Sequence, residues 1–289
     1  MAMPDSQICF LFDNGSLRPS STLNLRATAR LLGGVLPAPV RPVSLLHSSA
    51  VDAAALGGER AELLEIAVRK WWGENPGGEA VLLPLFFGPS GALTGYVPAR
   101  MEAARKAFPL ARWRLARWLI EPGEADEGVA GALAAEARSV IAAEKLERPR
   151  IVLVDHGSPQ RAVTAVRDHL GAQLRRLLAG DAAEIGVASM ERRPGAEFAF
   201  NEPLLATRLR TPPFDAGDVV VLLQFLSPGR HAGPDGDIAA ICAAARSERP
   251  GLHTWMTEPV GTAPEVVERL ARRFAEGRDK PVAAGGDFS

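Results

Sequence analysis

An internal repeat limits the folds open to this chain, because four short segments of its first half recur in the same order in its second half. The spacings between partners are 142, 144, 139 and 137 residues. Conserved order with nearly constant spacing predicts two copies of one structural unit. The paired segments are 12–16 with 154–158, 46–48 with 190–192, 86–89 with 225–228, and 118–122 with 255–259.

Short apolar runs alternate with longer segments of helical spacing in both halves. Continuous apolar runs are typical of strands buried on both faces of a parallel sheet. Their alternation with helices predicts two tandem, similar α/β domains, each with three α/β/α layers around a four-stranded parallel sheet. The predicted strands are 8–12, 42–46, 80–87, 117–120, 151–155, 184–190, 218–226 and 253–256. The clearest predicted helices are 23–32, 61–72, 130–143, 163–178, 238–245 and 264–274.

The length of 289 residues suits two domains, since a typical domain takes ~150 residues. A charged stretch at 144–150 precedes the fifth predicted strand and marks the join. We predict a first domain at 1–148, a second at 149–280 and a flexible tail at 281–289.

Composition argues against several classes of protein. The net charge of −1 lacks the basic excess typical of nucleic-acid binders. No run approaches the ~20 apolar residues that span a bilayer, and the N-terminus does not resemble a signal peptide, so we expect a cytoplasmic protein with no membrane partner. Cys9 and Cys242 lie among apolar residues and are predicted to be buried thiols.

Three side chains of the second half follow predicted strand ends. His156 directly follows 151–155, Glu191 follows 184–190, and His231 lies five residues after 218–226. Ligands of parallel α/β sheets bind outside the carboxyl ends of the strands. Two imidazoles and a carboxylate suit a first-row divalent ion such as cobalt, nickel or iron.

Each of these residues also has a simpler interpretation. A single histidine after a strand is more often a turn or hydrogen-bonding residue, and Glu191 next to Arg192 and Arg193 is also consistent with a solvated charge cluster. The shared sheet edge favours a metal site for the three together.

The first half departs from this set. Asn14 replaces His156, Ala92 is the nearest match to His231, and His47 is predicted to stand where Glu191 would be. One imidazole and one amide do not hold a divalent ion tightly. We favour a structural role for His47 over contact with a ligand.

The second half resembles the CbiX-type sirohydrochlorin chelatases, which are class II chelatases related to ferrochelatase. The resemblance covers most of 150–275. The motifs are VDHGS at 154–158, FLSPGRHAGPDGDI at 225–238, NEP at 201–203 and TEPVGT at 257–262, with Glu191 between the first two. In many two-domain members the histidines lie in the first half, whereas here they lie in the second.

The resemblance implies ATP-independent insertion of divalent cobalt, nickel or iron into an acidic tetrapyrrole such as sirohydrochlorin, for cobalamin or siroheme-type biosynthesis. The metal is then a substrate, and no permanent cofactor is expected. Formally the enzyme would be a lyase. The family's metal-binding histidines correspond to His156 and His231, and Glu191 is carried over with them. We assign His156 as metal ligand and proton acceptor and His231 as the second ligand or acceptor, with Glu191 taking a proton or guiding the cation.

An acidic tetrapyrrole needs cationic partners. Arginine forks suit carboxylates, although they are also common on surfaces. Ser158 offers a hydroxyl and a backbone N–H near a helix start, where an N-cap role is the alternative. The predicted substrate-binding residues are Ser158, Arg161, Arg192, Arg193 and Arg230.

Two further functions stay open. The first is a non-catalytic metal or tetrapyrrole carrier on the same fold, because the first half has lost most of the ligand set. The second keeps the fold but binds another tetrapyrrole or a small anion. Two fused domains can replace a dimer of single-domain chains, so a monomer is compatible with the sequence.

Overall fold

The computed structural model describes residues 6–278, which form two four-stranded sheets flanked by helices. The strands are β1 (Gln7–Asp13), β2 (Val40–Ser44), β3 (Glu79–Pro84), β4 (Arg112–Leu115), β5 (Arg150–Asp155), β6 (Glu184–Ser189), β7 (Gly217–Leu223) and β8 (Leu252–Met256). All neighbours pair in parallel, in the orders β2-β1-β3-β4 and β6-β5-β7-β8. The predicted α/β class with two similar four-stranded sheets is confirmed.

Eight helices accompany these strands within residues 6–278. They are α1 (Pro19–Gly33), α2 (Leu64–Glu74), α3 (Val97–Arg105), α4 (Gly128–Glu144), α5 (Arg161–Leu177), α6 (Leu205–Arg208), α7 (Asp237–Glu248) and α8 (Pro264–Arg278). A π-helical turn at Ala92–Tyr96 leads into α3, and neither segment was among the predicted helices. No helix of this part of the chain is both long and apolar enough to cross a membrane.

The inner strands β1 and β5 are buried over most of their length. Residues 9–12 of β1 and 151–154 of β5 are 0 % exposed. These continuous apolar runs are covered on both faces, as their pattern predicts. Cys9 and Cys242 are buried free thiols, and burial raises the pKa of Cys242 to about 11.

The predicted strand at 117–120 is wrong, because the edge strand β4 lies earlier in the chain. Its arginines alternate with apolar residues, and Arg114 forms an ion pair with Glu79 of β3. Leu115 pairs with β3 as Met256 pairs with β7, so the repeat spacing here is 141 residues rather than the predicted 137. Trp118 and Trp255, the first residues of the paired segments 118–122 and 255–259, are therefore not equivalent.

By packing, the described chain divides into two compact units. Unit 1 contains residues up to Leu119 together with the chain from Val267 onward, and unit 2 is Ile120–Val266. The predicted boundary between residues 148 and 149 lies between the two sheets. It does not assign every helix to the unit in which that helix packs, because α4 lies before the boundary but in unit 2, and most of α8 lies after it but in unit 1. Helix α4 packs against α5 and β7 in unit 2, while Arg273 of α8 donates to the Trp118 carbonyl in unit 1. The predicted tail at 281–289 lies outside the described residues.

Candidate functional site

The three predicted ligands all lie at the carboxyl edge of the sheet in unit 2. His156 directly follows β5, Glu191 follows β6, and His231 lies in the loop between β7 and α7. Since β5 is central and pairs with both β6 and β7, its terminal loop has the other two loops as neighbours.

The loop after β5 passes very close to the loop after β6. Gly157 has φ +90°, and a Cβ built on it would lie 1.9 Å from the Glu191 carbonyl oxygen. The Glu191 N–H donates to the His156 carbonyl at 3.2 Å. Only glycine permits this crossing. The result is that the His156 Nε2 lies 3.5 Å from a Glu191 carboxylate oxygen.

The two imidazoles are in contact. The ring centroids of His156 and His231 lie 4.7 Å apart with an interplanar angle of 65°. The side chains remain accessible, with exposures of 47 % for His156, 29 % for His231 and 63 % for Glu191. The structure thus brings together the two predicted histidines, and places Glu191 beside the first of them.

His231 has an acidic neighbour that the sequence did not predict. Its Nδ1 lies 2.7 Å from the Asp237 carboxylate, and the Arg230 Nε lies 3.5 Å from the same carboxylate oxygen. The only signal in the sequence was an acidic residue six positions after the histidine, directly before the predicted helix 238–245.

The side chains do not form a closed cage. Within residues 6–278, no group of three or more His, Cys, Asp or Glu side chains has an arrangement that would hold a metal ion. The site consists of two touching, accessible imidazoles with one carboxylate beside each. Such an arrangement suits temporary contact with a cation better than permanent storage, since structural metal sites are closed.

A buried polar network supports the loops from below. Arg167 is 2 % exposed, and its guanidinium donates to Ser189 Oγ at 2.6 Å and to the Asn201 carbonyl at 2.9 Å. Ser189 Oγ in turn donates to Asp155, the residue before His156. Burial raises the pKa of Asp155, while the Ser189 hydrogen bond and the Arg167 charge act in the opposite direction.

Ser158 is part of the same support. Its backbone N–H donates to Asn201 Oδ1 at 3.0 Å, and its hydroxyl accepts from the Gln160 N–H at 3.0 Å. The predicted backbone donor of Ser158 is therefore directed at Asn201. The hydroxyl holds the turn that leads into α5, but the N-cap of this helix is Gln160 and no side chain caps it by a hydrogen bond.

The predicted arginines differ in their surroundings. Arg192 forms an ion pair with Glu202 at 2.7 Å, and this hydrogen bond lowers the pKa of Glu202. The Arg161 guanidinium lies 4.6 Å from the centre of the Phe200 ring. By contrast, Arg193 and Arg230 are exposed, although the Arg230 Nε also lies 3.5 Å from the Asp237 carboxylate.

Unit 1 repeats the backbone of the site without its ligands. Gly15 has φ +86°, and a Cβ built on it would lie 1.7 Å from the Leu46 carbonyl oxygen, matching Gly157 and Glu191. The Leu46 N–H donates to the Asn14 carbonyl. The prediction that His47 stands where Glu191 would be is therefore wrong by one residue.

The position of unit 1 that corresponds to His231 is occupied by Ala92, as predicted. Phe86 and Phe225 accept equivalent hydrogen bonds after β3 and β7, from Leu119 and Val260. This register puts Ala92 opposite His231. At the three ligand positions unit 1 therefore carries an amide and two apolar side chains.

The fold and the paired histidines define a duplicated chelatase-like α/β protein. Residues 150–277 match the CbiX family model. The match contains both histidines and confirms the resemblance to the CbiX-type chelatases that the motifs predict.

Solved structures of chelatases share the architecture along nearly the whole chain. SirB from Bacillus subtilis subspecies spizizenii in complex with cobalt has a TM-score of 0.68 at 14% identity, covering 94% of this chain and 95% of that one. SirB from Bacillus subtilis with Fe³⁺ gives the same values. CbiX, described as the terminal enzyme of siroheme biosynthesis in denitrifying bacteria, has a TM-score of 0.54 at 20% identity, covering 94% and 98%. At these identities the likeness shows the common fold. No match was found among curated protein sequences.

Proposed function

We propose that this protein is a sirohydrochlorin-type chelatase that inserts a divalent metal ion into an acidic tetrapyrrole, with unit 2 holding the metal substrate. The observation that carries the proposal is the contact of two accessible imidazoles, 4.7 Å between ring centroids, at the carboxyl edge of a sheet that matches the CbiX family model. Cobalt, nickel and iron are the candidate metals, because imidazole with carboxylate suits first-row ions. Siroheme or cobalamin synthesis would use such a product.

Metal insertion needs a ligand that releases its metal and a base that takes protons. The incoming ion replaces two protons on ring nitrogens, so each turnover yields one metallated ring and two protons. A neutral imidazole performs either task near neutral pH. We assign His156 and His231 as transient ligands and proton acceptors.

Glu191 supplies negative charge where the hydrated cation approaches. Its carboxylate is 63 % exposed and lies 3.5 Å from the His156 Nε2. It attracts the ion through solvent, and it accepts a proton from His156 once the metal has left. The exposure of Glu191 keeps the carboxylate hydrated, so its hold on the metal is weak.

The substrate's carboxylates need cationic partners near the histidines. Arg193 and Arg230 are exposed on the two loops that flank the site. Their guanidinium groups suit carboxylate recognition. Arg161, Arg192 and Ser158 have partners within unit 2, so we give them the secondary task of shaping the loops.

We also propose the remaining properties that the sequence predicts. These are a cytoplasmic enzyme, no permanent cofactor, no nucleotide use and no nucleic-acid partner. A monomer remains compatible with the fused units.

A carrier is the second candidate, and one observation favours it. Unit 1 has Asn14, Leu46 and Ala92 at the three positions that correspond to the proposed ligands, so it lacks the proposed ligand set. A protein that only transports metal or tetrapyrrole would tolerate such a loss.

One assay separates the candidates. Pure protein is mixed with sirohydrochlorin and Co²⁺, and the absorbance change of the ring is compared with the spontaneous reaction. A chelatase accelerates the change, and His156→Ala and His231→Ala each lose about 100-fold or more, the scale of acid–base catalysis. His253→Ala is the matched control, because His253 is an exposed histidine of unit 2 on β8, away from the loops of the site.

The alternative outcomes are equally clear. Tetrapyrrole that stays bound without acceleration supports the carrier. Equal rates for the wild type and the His156→Ala/His231→Ala double variant would remove the assignment of both histidines.

A further inference from the structure

We propose that Asp237 is a positioning residue for His231: its carboxylate accepts the Nδ1 proton, so that Nε2 is the nitrogen presented to the metal. This inference rests on the proposed function, since it assigns a role within the same metal site. It adds to that function a residue outside the predicted ligand set.

The contact itself fixes the tautomer. The Nδ1 of His231 lies 2.7 Å from the Asp237 Oδ2, the length of a charge-assisted hydrogen bond. An ionised carboxylate only accepts hydrogen bonds, so the proton belongs to Nδ1. The free lone pair of the neutral ring is then on Nε2.

His156 reaches the same tautomer through a different partner. Its Nδ1 lies 2.9 Å from the Gly157 carbonyl oxygen, which also only accepts. Both rings therefore offer Nε2 as the ligating atom. The partners differ in charge, because His156 donates to a neutral carbonyl and His231 to a carboxylate. A carboxylate partner makes the opposite nitrogen the stronger donor to a metal.

The backbone holds Asp237 beside the histidine loop. The Asp237 N–H donates to the Arg230 carbonyl and the Ile238 N–H donates to the His231 carbonyl, both at 3.2 Å. Gly236 fits tightly between them, since an added Cβ would lie 2.7 Å from the His231 carbonyl oxygen. The start of α7 is thus fastened to the loop that carries the imidazole.

Helix capping does not account for the Asp237 side chain. The N-cap of α7 is Gly236, and no side chain caps the helix by a hydrogen bond. The Asp237 carboxylate contacts His231 and, at 3.5 Å, the exposed Arg230. Its geometry therefore serves the imidazole rather than the helix.

Unit 1 lacks the acid as well as the histidine. Ala92 stands opposite His231, and the first turn of α3 carries no acidic residue, whereas the first turn of α7 carries Asp237. The two groups occur together in one unit and are both missing in the other.

The tautomer is measured directly on the metal-free full chain. Nitrogen-15 NMR of labelled histidine, under conditions in which the imidazoles are neutral, distinguishes Nδ1–H from Nε2–H. We expect His231 to be the Nδ1–H form in the wild type and to shift toward Nε2–H in Asp237→Ala. An Nε2–H ring in the wild type would overturn the proposal, whatever the activity.

Metal binding gives the second readout. Co²⁺ affinity measured by calorimetry should fall about 10- to 100-fold in Asp237→Ala and Asp237→Asn, the usual effect of losing a ligand's supporting partner. The KM for Co²⁺ should rise similarly while the KM for sirohydrochlorin stays unchanged. Asp235→Ala is the matched control, because Asp235 is an exposed acid of the same loop.

The failures are distinguishable. If the Asp237 variants bind Co²⁺ as the Asp235 control does, the positioning role is refuted even when the wild type is an active chelatase. If the wild type shows no chelation but the tautomer and affinity respond as expected, the proposed function fails and the positioning role survives.

Discussion

Replacing Gly157 by alanine should weaken Co²⁺ binding at the proposed metal site far more than the equivalent change in unit 1. The φ of +90° places Gly157 in the left-handed region, where a side chain costs about 1–2 kcal/mol. The new Cβ would also lie 1.9 Å from the Glu191 carbonyl oxygen. Overpacking of this kind costs about 1–3 kcal/mol, so the total loss of stability is about 2–5 kcal/mol.

The clash must be relieved by moving the two loops apart. An ordinary carbon–oxygen contact is at least ~3.4 Å, so the Glu191 backbone has to shift by ~1.5 Å if Gly157 stays in place. That shift separates the Glu191 carboxylate from the His156 ring. Misplacement by ~1 Å can cost about 100-fold in activity, and we expect a loss of that order in kcat/KM.

The internal repeat supplies a matched control. Gly15→Ala meets the same strain, with φ +86° and a Cβ 1.7 Å from the Leu46 carbonyl oxygen, but at a position without metal ligands. Denaturant unfolding should show similar losses of stability for the two variants. Co²⁺ affinity, measured by calorimetry on the folded fraction, should fall only for Gly157→Ala. Equal Co²⁺ affinities of Gly157→Ala and Gly15→Ala would show that the close approach of the loops after β5 and β6 does not support metal binding.

Three further predictions concern buried polar groups. Arg167→Leu should lower the free energy of unfolding, measured by urea titration, by about 3–5 kcal/mol, because it leaves Ser189, Asn201 and Asp155 without their cation. The control is Arg176→Leu, at an exposed position of the same helix, which should cost under ~1 kcal/mol in the same titration. Burial raises the pKa of Asp13 from 3.8 to about 6, so the folded state binds the proton more tightly, and stability should fall as the pH rises through this interval; the effect should vanish in Asp13→Asn, and an unchanged pH profile would contradict it. Cys9 and Cys242 should resist thiol reagents until the protein unfolds, and rapid labelling of the native protein would contradict their burial.

Some of the site could be predicted from the sequence because parallel strands end at one edge. The positions of His156 and His231 after β5 and β7 required only that rule and the order of the strands. Their ring contact then follows from the pairing of β5 with β7. The four-stranded sheets were predictable for the same reason, since apolar runs with helical segments between them allow few arrangements.

Other parts depend on contacts that no periodicity encodes. Asp237 lies six residues after His231, and only the fold of the intervening loop brings them together. Arg167 occurs in a helix of ordinary amphipathic pattern, which gives no sign of its burial. The one-residue error at His47 arose because the match of 46–48 with 190–192 rests on position alone, while hydrogen bonds between neighbouring loops set the true register.

Helix α4 gives a fourth example. An amphipathic pattern shows that a helix has an apolar face, but not which sheet that face covers. Packing against α5 and β7 therefore could not be read from residues 128–144.

A structure of the protein loaded with Co²⁺ tests the central claim most directly. The ion should lie about 2 Å from the Nε2 atoms of both His156 and His231, the length of a bond between a divalent metal and imidazole. An ion bound elsewhere, or held through Nδ1 of either ring, would contradict the account.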